Sequence, residues 1–222
     1  MGGIKNISCI GLLLLSLSAF AQNEGADKAQ GTIRFDFMVP QPVTNKAFKK
    51  SFTGIMDIGT GVYITTPGGF AIGLIGRYKQ FQVPSNKINN TVTTQENIIN
   101  SSLSLGYDYF KTAKTLITPG VNLGYNWIFF TKITLTYDEP IIDKFNAINI
   151  EPYCKIDWMI DDGFGIGIMV AYNIMNYEFN PDNVGLDEFH TYSDHDRVGL
   201  TQSFSFGFCA YWNWAKREKA AY

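Results

Sequence analysis

Long apolar runs are nearly absent from this sequence. The only one lies at residues 10–17, I-G-L-L-L-L-S-L, whereas a helix that crosses a bilayer needs about 20 apolar residues. A transmembrane helix is therefore not expected. A charge excess is also lacking, because 18 basic and 20 acidic residues leave a net charge of −2. A nucleic-acid partner would need a basic face, so we expect none.

The first 21 residues have the three parts of a cleavable signal peptide. A short head with a positive charge at Lys5 precedes the apolar run, and Ala19 and Ala21 are small residues at the two positions that a signal peptidase inspects. We therefore predict a signal peptide at 1–21, followed by a polar leader at 22–30, and export from the cytoplasm.

Cysteine is scarce as well. Of the three cysteines, only Cys154 and Cys209 follow the predicted signal peptide. Strand alternation places them on opposite faces of strands that are not neighbours. A disulfide needs the two Cα atoms within about 7 Å of each other, so two free thiols are expected.

Eight stretches of alternating apolar and polar residues follow the leader. In the clearest, 206–214, one face carries aromatic and small apolar residues, Phe206, Phe208, Ala210, Trp212 and Trp214. A period of two predicts strands with two unlike environments. On this alternation Phe52 opens the second strand on its apolar face, and Val198 and Leu200 open the eighth.

Short and long connections alternate between these stretches. Tight-turn signals occur at 66–69, 111–115 and 161–163, and longer connections at about 40–50, 84–96, 131–145 and 179–197. This order is typical of bacterial outer-membrane barrels, which have periplasmic turns and extracellular loops. The sequence predicts an all-β, eight-stranded antiparallel up-and-down transmembrane β-barrel over 31–214, with a polar periplasmic tail at 215–222.

A soluble ligand-binding barrel or sandwich shows the same alternation with its apolar face inward, and it is the alternative fold. Three features favour the membrane barrel. The polar face is rich in Gly, Ser, Ala and Asn, which fit a narrow eight-stranded lumen. Strands of about 10 residues match a tilted membrane crossing. Aromatic residues form two predicted girdles: Tyr107, Tyr109, Trp158, Trp212 and Trp214 near the turns, and Tyr78, Trp127, Phe129 and Tyr172 toward the loops.

The predicted lumen face carries nine charged residues: Arg34, Asp36, Asp57, Arg77, Lys79, Asp108, Glu151, Lys155 and Asp157. Charges in a low-dielectric interior persist only when they are paired and hydrogen-bonded. Arg77 is expected to reach Asp57 or Asp108 on a neighbouring strand, and Arg34 and Asp36 to pair with strands two and eight. The set predicts a rigid plug of ion pairs; a narrow ion pore with the same lining is the alternative.

With these strands, the chain resembles the small eight-stranded outer-membrane proteins of the OmpX and OmpA-domain kind, the outer membrane protein β-barrel domain family. The resemblance covers nearly all of the mature chain and rests on architecture and on the aromatic-rich last strand, 204–214. It implies insertion by the barrel-assembly machinery, which reads a late aromatic, here Trp212 or Trp214. It also implies contact with outer-membrane lipids and lipopolysaccharide in a Gram-negative bacterium.

The last long loop holds both histidines, His190 and His195. Imidazole and carboxylate groups bind zinc or calcium, but the spacing matches no standard motif, so we expect no metal and no cofactor. Ser193 lies near both histidines, as in barrels that modify lipid A, although the His-x-Ser spacing of the deacylases is absent. A lipid-modifying enzyme is therefore an alternative, and a non-catalytic role is expected.

The first long loop is basic, with Lys46, Lys49 and Lys50, and the last is acidic. These loops are expected to pair with each other or with anionic lipopolysaccharide. The sequence therefore predicts a structural or surface-interaction role.

Overall fold

The computed structural model describes residues 29–84, 92–112, 114–134, 141–161, 163–184, 186 and 191–213. The predicted signal peptide, Trp214 and the tail lie outside these ranges. The described residues form eight strands, and the fourth is interrupted at Asp108: β1 (Gln30–Pro42), β2 (Thr53–Thr65), β3 (Phe70–Gln82), β4 (Val92–Tyr107 and Tyr109–Thr112), β5 (Thr115–Thr134), β6 (Ile141–Met159), β7 (Phe164–Met175) and β8 (Gln202–Asn213).

Each strand pairs antiparallel with the next along the chain, from β1 to β8. β8 then pairs antiparallel with β1, from Asn213 opposite Thr32 to Ser203 opposite Pro42. Closure gives every strand two paired neighbours, although the loop-side end of β6, residues 141–147, pairs with β5 alone among the described strands. The predicted eight-stranded, antiparallel, up-and-down barrel is confirmed.

Tight turns lie at one end of the barrel, which we call the turn side. Between β2 and β3, Gly69 adopts the left-handed φ of 86° that favours glycine. In the turn between β6 and β7, the Asp161 carboxylate accepts hydrogen bonds from the backbone N–H groups of Gly163 and Phe164, both at 2.7 Å. Gln30 and Asn213, the two ends of the barrel, are hydrogen-bonded to each other at 2.9 Å at this side.

The long connections lie at the opposite end, the loop side. They contain α1 (Lys46–Ser51), a 3-10 helix (Pro181–Val184) and α2 (Asp194–Arg197). No helix in the described ranges is both long and apolar enough to cross a membrane.

Several predicted strand ends were wrong. β4 begins at Val92, β5 continues to Thr134 and β6 begins at Ile141, so these strands extend into segments predicted as loops. Near these ends the outer face carries the polar residues Gln95, Asn97, Thr131, Lys144 and Asn146, so the apolar–polar alternation fades there. β8 begins at Gln202 and not at Val198, because Val198 ends α2 and Gly199 follows with a φ of 111°.

The predicted placement of Phe52 on the outer face was also wrong. Phe52 ends α1 and is 2% exposed, because the helix turns its ring into the barrel. The register then shifts between Gly54 and Met56, and this bulge puts Ile55 on the outer surface. Asp57 faces the interior as predicted.

The two faces of the sheet have opposite chemistry. Large apolar side chains cover the outside, where Leu74 is 63% and Phe208 70% exposed, whereas Arg34 and Glu151 are at most 2% exposed inside. The predicted free thiols are confirmed: Cys154 is partly exposed on the outer face, Cys209 is buried inside, and neither forms a disulfide. The described chain therefore buries polar groups and exposes apolar ones.

Candidate functional site

The turn-side part of the lumen is organised around Arg34. Its Nη2 donates to both carboxylate oxygens of Asp108, at 2.9 and 2.7 Å. The Asp108 carboxylate also accepts from the hydroxyls of Thr65 at 2.9 Å and Thr118 at 2.8 Å. The Arg34 guanidinium lies 4.3 Å from the ring centre of Tyr63, within cation–π range. This ion pair joins β1 to β4 across the lumen.

Arg77 occupies the centre of the lumen and contacts three carboxylates. Its Nη1 donates to Asp57 and its Nη2 to Asp36, each at 3.0 Å, and its Nε lies 3.7 Å from a Glu151 oxygen. The other oxygen of Asp36 accepts from Nζ of Lys155 at 2.7 Å. Four strands, β1, β2, β3 and β6, are thus connected through one guanidinium and its neighbours.

The loop-side part of the network is centred on Glu151. Its carboxylate accepts from Nζ of Lys79 at 2.5 Å, Nδ2 of Asn122 at 3.0 Å and Nδ2 of Asn173 at 3.2 Å. Lys79 also lies 3.5 Å from Asp57. The two amides and Lys79 thus supply hydrogen-bond donors to a carboxylate that is buried from water.

The structure places all nine predicted charged side chains inside the barrel, each at most 4% exposed. Ion pairs connect eight of them, and the ninth, Asp157, accepts from Sγ of Cys209 at 3.2 Å. Arg77 contacts Asp57 as expected but not Asp108, and Arg34 pairs with β4 instead of strands two or eight. The lumen is narrow, so long side chains reach the opposite wall as well as neighbouring strands.

Three inward tyrosines were not predicted as site residues, although alternation alone could have found them. Tyr63 and Tyr211 flank Arg34, and the ring centre of Tyr153 lies 5.5 Å from Nζ of Lys155. Glycine makes room for these rings: a Cβ added at Gly73 would lie 2.4 Å from a carbon of Tyr63. Aromatic faces therefore complete the surroundings of two buried cations.

An apolar cluster fills the loop-side end of the barrel. We call it the mouth cluster, and its buried members are Ala47, Phe48, Phe52, Phe81, Val83, Ile98, Ile128, Phe130, Ala147, Met175, Phe179, Leu186 and Tyr192. Part of it comes from strand walls and part from the first and last connections. Residues 43–52 together with the described part of 177–201 form a cover that we call the lid.

Asn45 joins the two halves of the lid. With a φ of 54°, its side chain accepts from the Phe48 backbone N–H at 3.0 Å and donates to the carbonyls of Phe179 at 3.0 Å and Gly199 at 3.1 Å. The hydroxyls of Ser51 and Tyr192 are hydrogen-bonded at 2.6 Å. The first and last connections are therefore tied together over the lumen.

One ion pair also links the lid halves. Nζ of Lys50 donates to Asp196 at 2.9 Å, and the Ser193 hydroxyl donates to the same carboxylate at 2.9 Å. These hydrogen bonds, that from Lys50 first, lower the pKa of Asp196 to about 2. Lys46 and Lys49 remain exposed on the outer surface of α1. The basic and acidic loops thus contact each other and leave two free lysines.

Glu96 is a buried acid of the mouth that the sequence reading missed. It lies directly opposite Phe81 on β3 and Phe130 on β5 and is 0% exposed. Neither carboxylate oxygen has a hydrogen-bond partner among the described residues. Its chain neighbours Gln95 and Asn97 are polar and face outward, so Glu96 lies above the apolar belt. Burial raises its pKa to about 8.

The remaining candidates lie in the last loop. His195 is exposed on α2, and His190 lies outside the described residues. In the described ranges, no group of three or more His, Cys, Asp or Glu residues could hold a metal ion. The Ser193 hydroxyl contacts Asp196, where it caps α2. A Ser–His pair is not among the contacts of the described loop.

Eight of the nine girdle residues lie on the outer face of described strands, and Trp214 lies outside the described ranges. On the loop side, the hydroxyls of Tyr78 and Tyr172 donate to Asn97 and Gln202, at 2.6 and 2.5 Å. Along β5, the ten residues from the level of Tyr109 to Trp127 advance about 33 Å, or about 25 Å in height at a tilt of ~40°. That height equals the apolar band of a membrane barrel.

No family model and no curated relative matches this chain. Its fold is similar to the crystal structure of Neisserial surface protein A, with a TM-score of 0.53 and 10% identity over 84% of this chain and 99% of that chain. The crystal structure of Ail of Yersinia pestis in complex with the heparin analogue sucrose octasulfate has a TM-score of 0.44 and 6% identity, over 84% of this chain and 99% of that chain. The N-terminal β-barrel domain of Pseudomonas aeruginosa OprF has a TM-score of 0.41 and 8% identity, over 84% of this chain and 100% of that chain. The first likeness supports the fold.

Proposed function

We propose that this chain is an integral β-barrel protein of the outer membrane of a Gram-negative bacterium, exported by its signal peptide and inserted by the barrel-assembly machinery. The supporting observation is the outer belt of exposed apolar side chains around a charged interior. Soluble monomers rarely expose apolar patches beyond a few hundred Å², and lipid tails would cover this belt. A soluble periplasmic barrel would have the opposite orientation.

Fractionation and labelling test this proposal. The protein is expected in the outer-membrane pellet and to migrate differently on a gel when it is not boiled. A photoreactive label within the hydrocarbon layer should mark Leu123 and Leu105 and spare Asn122 and Asp108. Recovery in the soluble periplasm, or labelling of the second pair only, would overturn the proposal.

We further propose a structural or surface-interaction role without catalysis. The proposal is supported by the buried ion pairs and the mouth cluster inside the barrel, and by the Ser193 hydroxyl, which donates to Asp196. A lipid A-modifying enzyme and a narrow ion pore are the alternatives. Unchanged lipid A in cells with and without the gene, and no conductance in planar bilayers, are the expected results; altered lipid A or discrete conductance steps would favour the corresponding alternative.

The exposed lysines of α1 indicate the partner we propose, the anionic head groups of lipopolysaccharide. Lys46 and Lys49 are exposed on α1, at the loop side of the barrel, which the proposal places outside the cell. Changing both to Gln should weaken binding of the detergent-solubilised protein to lipopolysaccharide micelles and reduce its salt dependence. Lys114→Gln, an exposed lysine on the turn side, is the matched control. Equal binding by the double variant and the control would contradict this role.

A further inference from the structure

One carboxyl group beside the mouth cluster has no hydrogen-bond partner among the described residues. Glu96 lies beneath the lid between Phe81 and Phe130, and neither of its oxygens has a described partner. An ionised carboxylate in such surroundings is strongly unfavourable, whereas a neutral acid carries a much smaller penalty. The closed arrangement therefore requires Glu96 to hold its proton.

The groups around Glu96 provide no described counter-charge. On β3, Lys79 is engaged by Glu151 and Asp57. In the connection after β7, burial and the nearby Glu96 raise the pKa of Tyr177. The carboxylate of Asp143 on β6 raises this pKa as well, so the neighbouring group is a second acid and not a cation. On β5, the backbone of Lys132 pairs with Thr94.

Above Glu96, the charges of the lid are engaged with each other or exposed. Lys50 is paired with Asp196, Arg197 with Asp182, and Lys46, Lys49, Glu178, Asp194 and His195 are exposed.

We propose that Glu96 makes the lid a proton-operated gate, shut while the carboxyl is neutral and released when it ionises. Ionisation transfers the carboxyl proton to water and leaves a carboxylate that needs hydration. At Glu96 the wall strand β4 is hydrogen-bonded to β3 on one side and to β5 on the other, and the ion-pair network lies nearer the turn side. Water therefore enters from above, where two connections are joined by Asn45, by Ser51 with Tyr192, and by Lys50 with Asp196.

The direction of the effect follows from linkage. Glu96 has a higher pKa in the closed state than in an open, hydrated one, so closing the lid takes up a proton. Its stabilisation of the closed lid is full below the ordinary carboxyl value of about 4.3 and is lost as pH rises to about 8. Over that interval the ratio of closed to open lids falls by up to about tenfold per pH unit.

Distance measurements between spin labels test the gate. Labels on Lys49→Cys of α1 and Lys144→Cys of the β6 wall replace two exposed lysines, with the native cysteines changed to serine. The refolded barrel in detergent micelles should give one short distance at pH 5 and a longer, broader distribution at pH 9. A single unchanged distance at both pH values would overturn the proposal.

Matched variants test whether the opening of the lid between pH 5 and pH 9 depends on Glu96. Glu96→Gln keeps the shape and stays neutral, so its lid should remain closed at both pH values, with heat-modifiability confirming that the barrel is folded. Glu178→Gln, His195→Gln and Lys132→Met should each keep the pH step. The proposal fails if Glu96→Gln still opens at pH 9, or if one of the other three variants abolishes the step.

Discussion

The lumen network and the mouth cluster fill the same barrel by opposite means. The network holds buried charges, and each of its ion pairs joins strands that cannot move apart without breaking the sheet. The mouth cluster holds apolar side chains, of which Phe48, Phe179 and Tyr192 come from connections instead of strands. The comparison teaches that polar contacts lock the wall of this barrel, whereas apolar burial and a few hydrogen bonds hold a separable cover.

Loss of the Arg77 guanidinium should have the largest effect. Arg77→Met leaves Asp36 and Asp57 each without their 3.0 Å donor, and removing one partner of a buried pair costs about 3–5 kcal/mol. We expect the urea midpoint and the thermal unfolding temperature of the refolded barrel to fall cooperatively, measured by circular dichroism.

The same substitution in the lid is the control. Arg197→Met removes an ion pair with Asp182 that is partly exposed, and such pairs contribute little. If the Arg77 and Arg197 variants melt alike, the network does not lock the wall and the comparison fails.

Alternation carried most of the information about the wall. It predicted the faces of the nine lumen charges and the outward side of Leu123 and Trp127, because lipid and lumen impose opposite chemistry on consecutive residues. It did not predict which charges pair. Arg34 reaches Asp108 on the far side, a contact fixed by barrel shear and side-chain length, which a one-dimensional pattern does not encode.

The lid was not predictable in the same way. Its first half was predicted as an irregular loop, and Phe52 as a lipid-facing residue. Both were wrong because α1 has a period unlike that of the strands and is oriented by contacts with residues about 150 positions away, such as Asn45 with Gly199. Glu96 was not predicted as a site residue because its segment was assigned to a loop. An acidic residue is ordinary in a solvent-exposed loop, so the pattern did not indicate a buried carboxyl group.

Truncation of a lid aromatic should have the next largest effect, and a local one. Phe48 lies within 5.2 Å, centre to centre, of Phe52 and Phe81, and Phe→Ala in a core costs about 3 kcal/mol or more. Phe48→Ala should speed hydrogen exchange at the amides of Lys49 and Phe52 while the global melt changes little. Phe70→Ala, an outward phenylalanine on the turn side, should leave lid exchange unchanged. A cooperative global loss would show that lid and wall unfold together.

A smaller, global effect is expected from crowding the lumen wall. In Gly73→Ala the added Cβ would meet the Tyr63 ring at 2.4 Å, and overpacking costs about 1–3 kcal/mol. The double variant Gly73→Ala with Tyr63→Val removes the ring and should recover part of the loss, as read from urea midpoints. Additive losses in the double variant would mean that the ring is not the obstacle.

The smallest effect is expected from the Lys50–Asp196 ion pair of the lid, of which only the lysine is exposed, and its pH dependence has the opposite sign to that of Glu96. The pKa of Asp196 is lowered to about 2, so the pair stabilises the lid fully above the ordinary aspartate value of about 3.9 and less as pH falls through about 2. Exchange at the lid amides, corrected for the intrinsic rate, should therefore rise slightly between pH 4 and pH 2, where Glu96 stays neutral. Asp196→Asn should remove this slope and keep the alkaline step of Glu96. If Asp196→Asn removed both the acid slope and the alkaline step, the two acids would report one event. The lid would then not be held by two independent interactions.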